Sequence, residues 1–206
     1  MNREELLKNA KPILFNTQMV QAILEGRKTV TRRKIDRDIT NFCDVDVDGT
    51  LLDYQNCDGD FINPVDICRY KVGDILYVRE SFRYVVIGEV GYEGECVWDD
   101  EVIEYKASQN EFEEEYGWCI GELGKWKPSI HMPKEVARIF LKVTNVKVER
   151  LQDMTQEDCI KEGCGELSEE QFAEFWNSLL PKYYYDWMSW QGNPYVWVIE
   201  FERVKV

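Results

Sequence analysis

The apolar positions of the chain change period several times, and those changes mark its elements. Asn16 or Thr17 can cap a helix with Met19, Val20, Ile23 and Leu24 on one face, and Gly26 supplies the stop. This predicts a short helix over 17–25, packed on the core. From Thr29 to Arg33 the pattern alternates instead, and β-branched Thr29, Val30 and Thr31 favour a strand. Thr31 and Arg33 then share one face, with Lys28 at the helix–strand corner. Further strands are predicted over Ile75–Glu80 after the turn at Gly73, over Tyr84–Val90 and Val97–Lys106 around a Gly91–Gly94 turn, and over Ile139–Val148. Both faces of 75–80 are apolar until they end in Arg79 and Glu80, so those charges belong at the strand's mouth. Tyr195–Phe201 is apolar on both faces, as a central strand requires.

Two more helices are marked by their caps. Thr155 opens a short one ending at Gly163, with Asp158 completing a capping-box-like pattern, and Ser168 opens another with Gln171 three residues on. The second presents Phe172, Phe175, Trp176, Leu179 and Leu180 to the core and stops at Pro181. Residues 34–68 read as an insertion with small hairpins at Asp48-Gly49 and Asp58-Gly59. Asp44, Asp46, Asp48 and Gly49 imitate the opening of a calcium loop, but Gln55 stands where the bidentate Glu is needed, so a solvated hairpin is expected. Glu111–Glu115 reads as a solvated surface. Trp126–Pro133, rigid and bounded by two prolines, reads as an irregular segment lining a cleft. The sum is one α+β domain over 1–206, a small β-barrel with helices packed at its sides and inserted hairpins.

Composition narrows the function. The 206 residues are 44% hydrophobic and 13% aromatic, which excludes a disordered chain. Lys+Arg 25 against Asp+Glu 39 gives a net charge of -14, which repels a phosphate backbone at long range. A small polar ligand in a local basic cleft meets a weaker objection. No stretch has the apolar length of a signal peptide or membrane span, so a cytoplasmic protein without a membrane partner is expected. Cys 7 is odd, no Cys-x-x-Cys occurs, and there is one histidine, so neither a disulfide framework nor a metal site is expected, and no cofactor is implied.

The stretch Ile23-Leu24-Glu25-Gly26-Arg27-Lys28-Thr29-Val30-Thr31-Arg32-Arg33 resembles an ASCH domain, a member of the PUA-like barrel group. The family's Gly-x-Lys motif, with its following polar residue and Arg, corresponds to Gly26, Lys28, Thr31 and Arg33. Gly73-Asp74 before strand 75–80 and the strand Val196–Phe201 match the family's later landmarks. The resemblance spans roughly 12–203, with 34–68 and about 88–125 as elaborations. It is strongest toward ASCH-type proteins of tailed phages and prophages, on Pro12–Asn16, Gly26–Thr29, Val78-Arg79-Glu80 and Trp126–Pro133. One branch of the group consists of small amidohydrolases that deacetylate N4-acetylcytidine, and their Lys, Thr and Glu look similar to Lys28, Thr31 and Glu162. Those enzymes are about half this length, and Arg32 stands here in place of an apolar residue.

The resemblance implies binding of RNA or a modified nucleoside in a basic cleft built on Gly26–Arg33. Arg27, Arg33, Arg79 and Glu80 would contact the ligand, with Trp126 to stack a base and His131 nearby. The alternative it implies is amide hydrolysis, with Thr31 as nucleophile and Lys28 as base. That requires the lysine pKa to be lowered by burial and by Arg27, Arg32 and Arg33. Glu162 would orient the lysine while raising its pKa, and sequence leaves the balance open. The bland reading of Lys28, Arg33, Glu80 and Glu162 is a set of structural ion pairs. A phage protein that binds a host factor is a third reading.

Overall fold

In the computed structural model the first predicted helix is α2, Thr17–Leu24, the second helix in the chain. Asn16 Oδ1 caps it by accepting the Met19 N–H at 2.9 Å. Met19, Val20, Ala22 and Ile23 form its buried face. Gly26 stands at φ +75°, a left-handed conformation that glycine enters without a Cβ penalty, and the chain turns there into strand β2, Val30–Lys34. The structure describes residues 2–35, 43–45, 51–55, 61–90, 96–116, 120–165, 167–181 and 186–205.

The chain divides into two compact units: residues 1–25, 75–141 and 204–206 form one, and residues 26–74 and 142–203 form the other. In the first, α1 (Arg3–Asn9) precedes β1 (Lys11–Leu14), which pairs in parallel with β6 (Ile75–Arg79), and neither α1 nor β1 is marked in the sequence pattern. β7 (Phe82–Val90) pairs antiparallel with β8 (Cys96–Tyr105), as predicted, and on its other side with β9 (Ile120–Leu123). The acidic run forms a helix, α3 (Gln109–Tyr116): Phe112 is buried, while the four glutamates are exposed. Leu6, Ala10, Tyr77, Phe82, Met132, Ala137 and Phe140 form a core cluster of this unit.

In the second unit β2 pairs antiparallel with β11 (Tyr195–Val204), which also borders β10 (Phe140–Arg150). β11 is therefore a central strand, which explains its apolar character on both faces. Strands β3 (Cys43–Val45), β4 (Leu51–Gln55) and β5 (Phe61–Ile62) form the antiparallel pairs expected of the insertion. The turns predicted at Asp48-Gly49, Asp58-Gly59 and Gly91–Gly94, and with them Asp46–Gly49 of the calcium-loop imitation, lie outside the described residues. Helix α4 (Gln156–Lys161) is capped by Thr155 and α5 (Glu169–Ser178) by Ser168, each with the reciprocal bond from Asp158 or Gln171. Phe172, Trp176, Trp190, Val196 and Val198 pack together with Cys159 and Leu151. One expected core residue is corrected: Leu179 is 53% exposed. Helix α5 ends before it because Leu180 precedes Pro181, and a residue before proline is disfavoured in the helical region.

The architecture is α+β, with strands outnumbering helices among the described residues. No sheet closes into a barrel among those residues. No described helix is long and apolar enough to cross a membrane.

Candidate functional site

The second unit gathers an ionic cluster around β2 and the C-terminus of α4. Thr29 is tied at both ends of its peptide group: its N–H donates to Lys161 O at 2.8 Å, and its carbonyl accepts from Phe201 N at 2.9 Å. That anchoring turns Lys28 inward while Arg27 stays exposed. Lys28 Nζ donates to Val30 O at 2.7 Å, Glu162 O at 2.7 Å and Glu162 Oε1 at 3.0 Å. Glu162 is the C-cap of α4, so the ammonium sits where the helix dipole favours positive charge.

Glu162 is held from β2 as well. Its two carboxylate oxygens accept the Arg32 backbone N–H at 3.1 Å each, and Oε2 accepts from Arg32 Nη1 at 3.3 Å. The rest of the Arg32 fork donates to Glu149 Oε1, from Nε at 3.1 Å and Nη2 at 2.7 Å, and Asp158 lies 3.7 Å away. Lys28 is 2% exposed, Arg32 4% and Glu162 4%. The hydrogen bonds matter because a charge buried unpaired is very unfavourable.

Burial and Glu162 pull the Lys28 pKa in opposite directions. Burial is the larger effect, and with a smaller contribution from Arg33 it holds the ammonium below its ordinary value despite Glu162. Of the two causes expected to lower this pKa, burial and neighbouring arginines, desolvation comes first, Arg33 contributes less, and Arg27 is exposed. Arg33 is also lowered by burial, against the opposing charges of Glu162 and Tyr70, and burial raises Tyr70.

Thr31 pairs with Ile199 of β11 and is 1% exposed. Strand alternation sets Thr31 and Arg33 opposite Val30 and Arg32. A cavity of about 260 Å³ adjoins the cluster, lined in part by Thr29, Val30, Asp158, Lys161 and Phe201. Among the described residues Lys28, Thr31 and Glu162 do not line it.

The remaining predicted residues belong to the first unit. Arg79 donates through Nη2 to the Ile130 carbonyl, and its buried Nε has no hydrogen-bond partner. Glu80 is 1% exposed and accepts a two-pronged contact from Arg138, at 2.9 and 3.0 Å. Trp126 carries the Arg83 guanidinium 4.5 Å from its ring centroid, so that face already holds a cation. His131 is exposed and closes a short turn over Ser129–His131.

Lys28, Thr31, Arg33 and Glu162 thus share one unit, with Lys28 and Glu162 in direct contact. Sequence reading missed Glu149 and Arg138, gave Asp158 a capping role alone, and took Arg32 for a cation acting on Lys28 instead of a partner of Glu162. A signal existed for Arg32: it shares the inward face of β2 with Val30, and an inward arginine requires carboxylates. Among the described residues no group of three or more metal-ligating side chains converges. No family model, curated protein or solved structure matches the chain.

Proposed function

We propose that this chain is an ASCH-type, PUA-like domain that binds a nucleoside or modified nucleoside at the site built on Gly26–Arg33. The observation that carries this reading is the concentration of desolvated polar groups at one short strand: Lys28, just before β2, and Arg32 are buried beside Glu162, and Thr31 is buried on the strand's other face. Ionisable groups desolvated together cluster at functional sites. The motif supporting the ASCH likeness, Gly26, Lys28, Thr31 and Arg33, supplies two of these positions, Lys28 and Thr31.

The charge balance favours a small neutral ligand over an RNA backbone. Lys28 and Arg32 face Glu149, Asp158 and Glu162, so their positive charge is spent within the protein. A base edge can still be read by a hydroxyl or a guanidinium, for which Thr31 and Arg33 are the candidates.

A second reading, hydrolysis of an N4-acylated cytidine, draws on the 3.0 Å contact between Lys28 and Glu162 and on the lowered Lys28 pKa. These are two of the three residues carried over from the amidohydrolases. In that reading Lys28, after losing one proton to solvent, accepts the Thr31 proton as the neutral amine, the Thr31 oxygen attacks the acyl carbon, and the leaving amine takes that proton. Water then releases the acetyl group from Thr31.

One titration separates the readings. Cytidine and N4-acetylcytidine are added to the protein and to Thr31→Val, which preserves side-chain shape, while heat of binding and cytidine release are followed. Saturable binding without release, weakened in Thr31→Val, supports the binding site. Release abolished by Thr31→Val supports hydrolysis. Absence of both binding and release overturns the proposal and leaves the cluster as a structural pin between β2 and α4.

A further inference from the structure

The first unit contains a cavity of about 210 Å³ between the end of β8 and helix α3, and the reading above does not use it. Ile103, Tyr105, Phe112 and Tyr116 supply an apolar and aromatic wall, and Glu111 and Glu115 supply carboxylates. The Phe112 and Tyr116 rings lie 4.6 Å apart between centroids. Tyr105 already accepts one cation on its face: the Arg138 guanidinium is 4.1 Å from its centroid, with its charge matched by Glu80. Aromatic faces attract cations through their quadrupole, most strongly where water is excluded.

One observation points to a hydrogen-bond partner in the cavity, and a second, independent one points to positive charge. Ser108 also lines the cavity, is only 9% exposed, and its Oγ has no hydrogen-bond partner. A buried hydroxyl left so is unfavourable, and a donor in the cavity would satisfy it. The other observation is the charge pattern of α3. It has no basic residue in its last turn, where Glu113, Glu114 and Glu115 oppose the helix dipole. Glu111 and Glu115 are four residues apart, so they are neighbours on one face and repel each other. A cation between them relieves both conflicts.

We propose that this pocket binds a small organic cation, a primary ammonium on a short alkyl stem. The ammonium sits between Glu111 and Glu115 with one N–H donated to Ser108 Oγ, and the stem packs on Phe112 and Tyr116. An anion is repelled by the same carboxylates, since the guanidinium that the described residues place in the wall, that of Arg138, is committed to Glu80. A hard divalent ion prefers a shell of oxygen ligands, which an aromatic wall does not offer.

The test is calorimetric titration of the full chain with pentane-1,5-diammonium, beside pentane-1,5-diol and magnesium chloride at matched ionic strength. The expected result is saturable binding of the diammonium alone. The double variant Glu111→Gln/Glu115→Gln should weaken it about tenfold or more, since two charge-assisted contacts become neutral. Ser108→Ala should also weaken binding, while the ligand-free variant unfolds at the same or a higher temperature, because the unpartnered hydroxyl is gone. An equal response to magnesium chloride reduces the effect to screening of net charge and overturns the proposal. Unchanged affinity in the double variant, with its unfolding midpoint preserved, overturns it too. None of these substitutions touches Gly26–Arg33, so either failure leaves the nucleoside reading standing.

Discussion

At the scale of single residues, the contacts of Lys28 and Glu162 predict an order of stabilities. Glu162→Gln leaves the Lys28 and Arg32 cations buried with one carboxylate fewer, and breaking a buried pair from one side costs about 3–5 kcal/mol. Lys28→Met removes a desolvated cation, while Arg32 still holds Glu162, so it should cost less. Urea midpoints with unchanged m-values would measure both. Equal costs, or a larger one for Lys28→Met, would show that Arg32 does not share the carboxylate. The lowered Lys28 pKa adds a pH signature of definite sign. Between its folded value and 10.5 the unfolded chain binds more protons than the native one, so stability attributable to this residue rises with pH. Subtracting the Lys28→Met profile from the parent's over the alkaline range isolates that rise, and a difference that falls with pH would contradict the assigned direction.

At the scale of elements, α4 depends on a cap coupled to the ionic cluster. Thr155 accepts the Asp158 N–H at 3.3 Å and donates through Oγ1 to Asp158 Oδ2 at 2.8 Å. Partial burial alone would raise the Asp158 pKa, but the Thr155 bonds and the Arg32 charge outweigh it, and the pKa is lowered. Thr155→Val should therefore cost about 1 kcal/mol near neutral pH. Asp158 stabilises the fold above 3.8 and ceases to do so as pH falls through its folded value, so the gap between parent and variant should narrow in acid. A gap as wide at pH 3 as at pH 7 would separate the cap from the carboxylate. The elements read most reliably from sequence were of this kind: α2, α4 and α5 each announce a cap and a stop, and β7 with β8 announce their alternation. α3 was not legible because its apolar positions are few and its charges oppose its dipole, so tertiary burial of Phe112 must supply what local signals lack. The Lys28–Glu162 pairing joins residues 134 positions apart, a distance no periodicity spans. The two are named together only through a resemblance to amidohydrolases, and the depth of their burial and the partnership with Arg32 belong to packing.

At the scale of the whole molecule, net charge and charge placement bear on the ligand together. The chain carries -14, and the densest positive segment in its sequence turns Lys28 and Arg32 inward onto carboxylates. What that segment offers a polyanion is chiefly Arg27, Arg33 and Lys34, of which Arg27 is exposed and the others half-buried. Each phosphate neutralised on a single strand steepens the dependence of log affinity on log salt by about 0.7. Two or three contacts therefore predict a slope no steeper than about −2 for single-stranded RNA. A neutral nucleoside releases no condensed counterions, so its affinity should stay nearly constant over the same range. Anisotropy titrations of a labelled RNA and calorimetry of the nucleoside, both between about 50 and 200 mM salt, read the two slopes. A slope near −4 or steeper for RNA would require a basic track beyond Gly26–Arg33 and would replace the nucleoside with a polynucleotide as the ligand. A flat nucleoside response with weak, shallow RNA binding is what a cluster already neutralised by its own carboxylates must give.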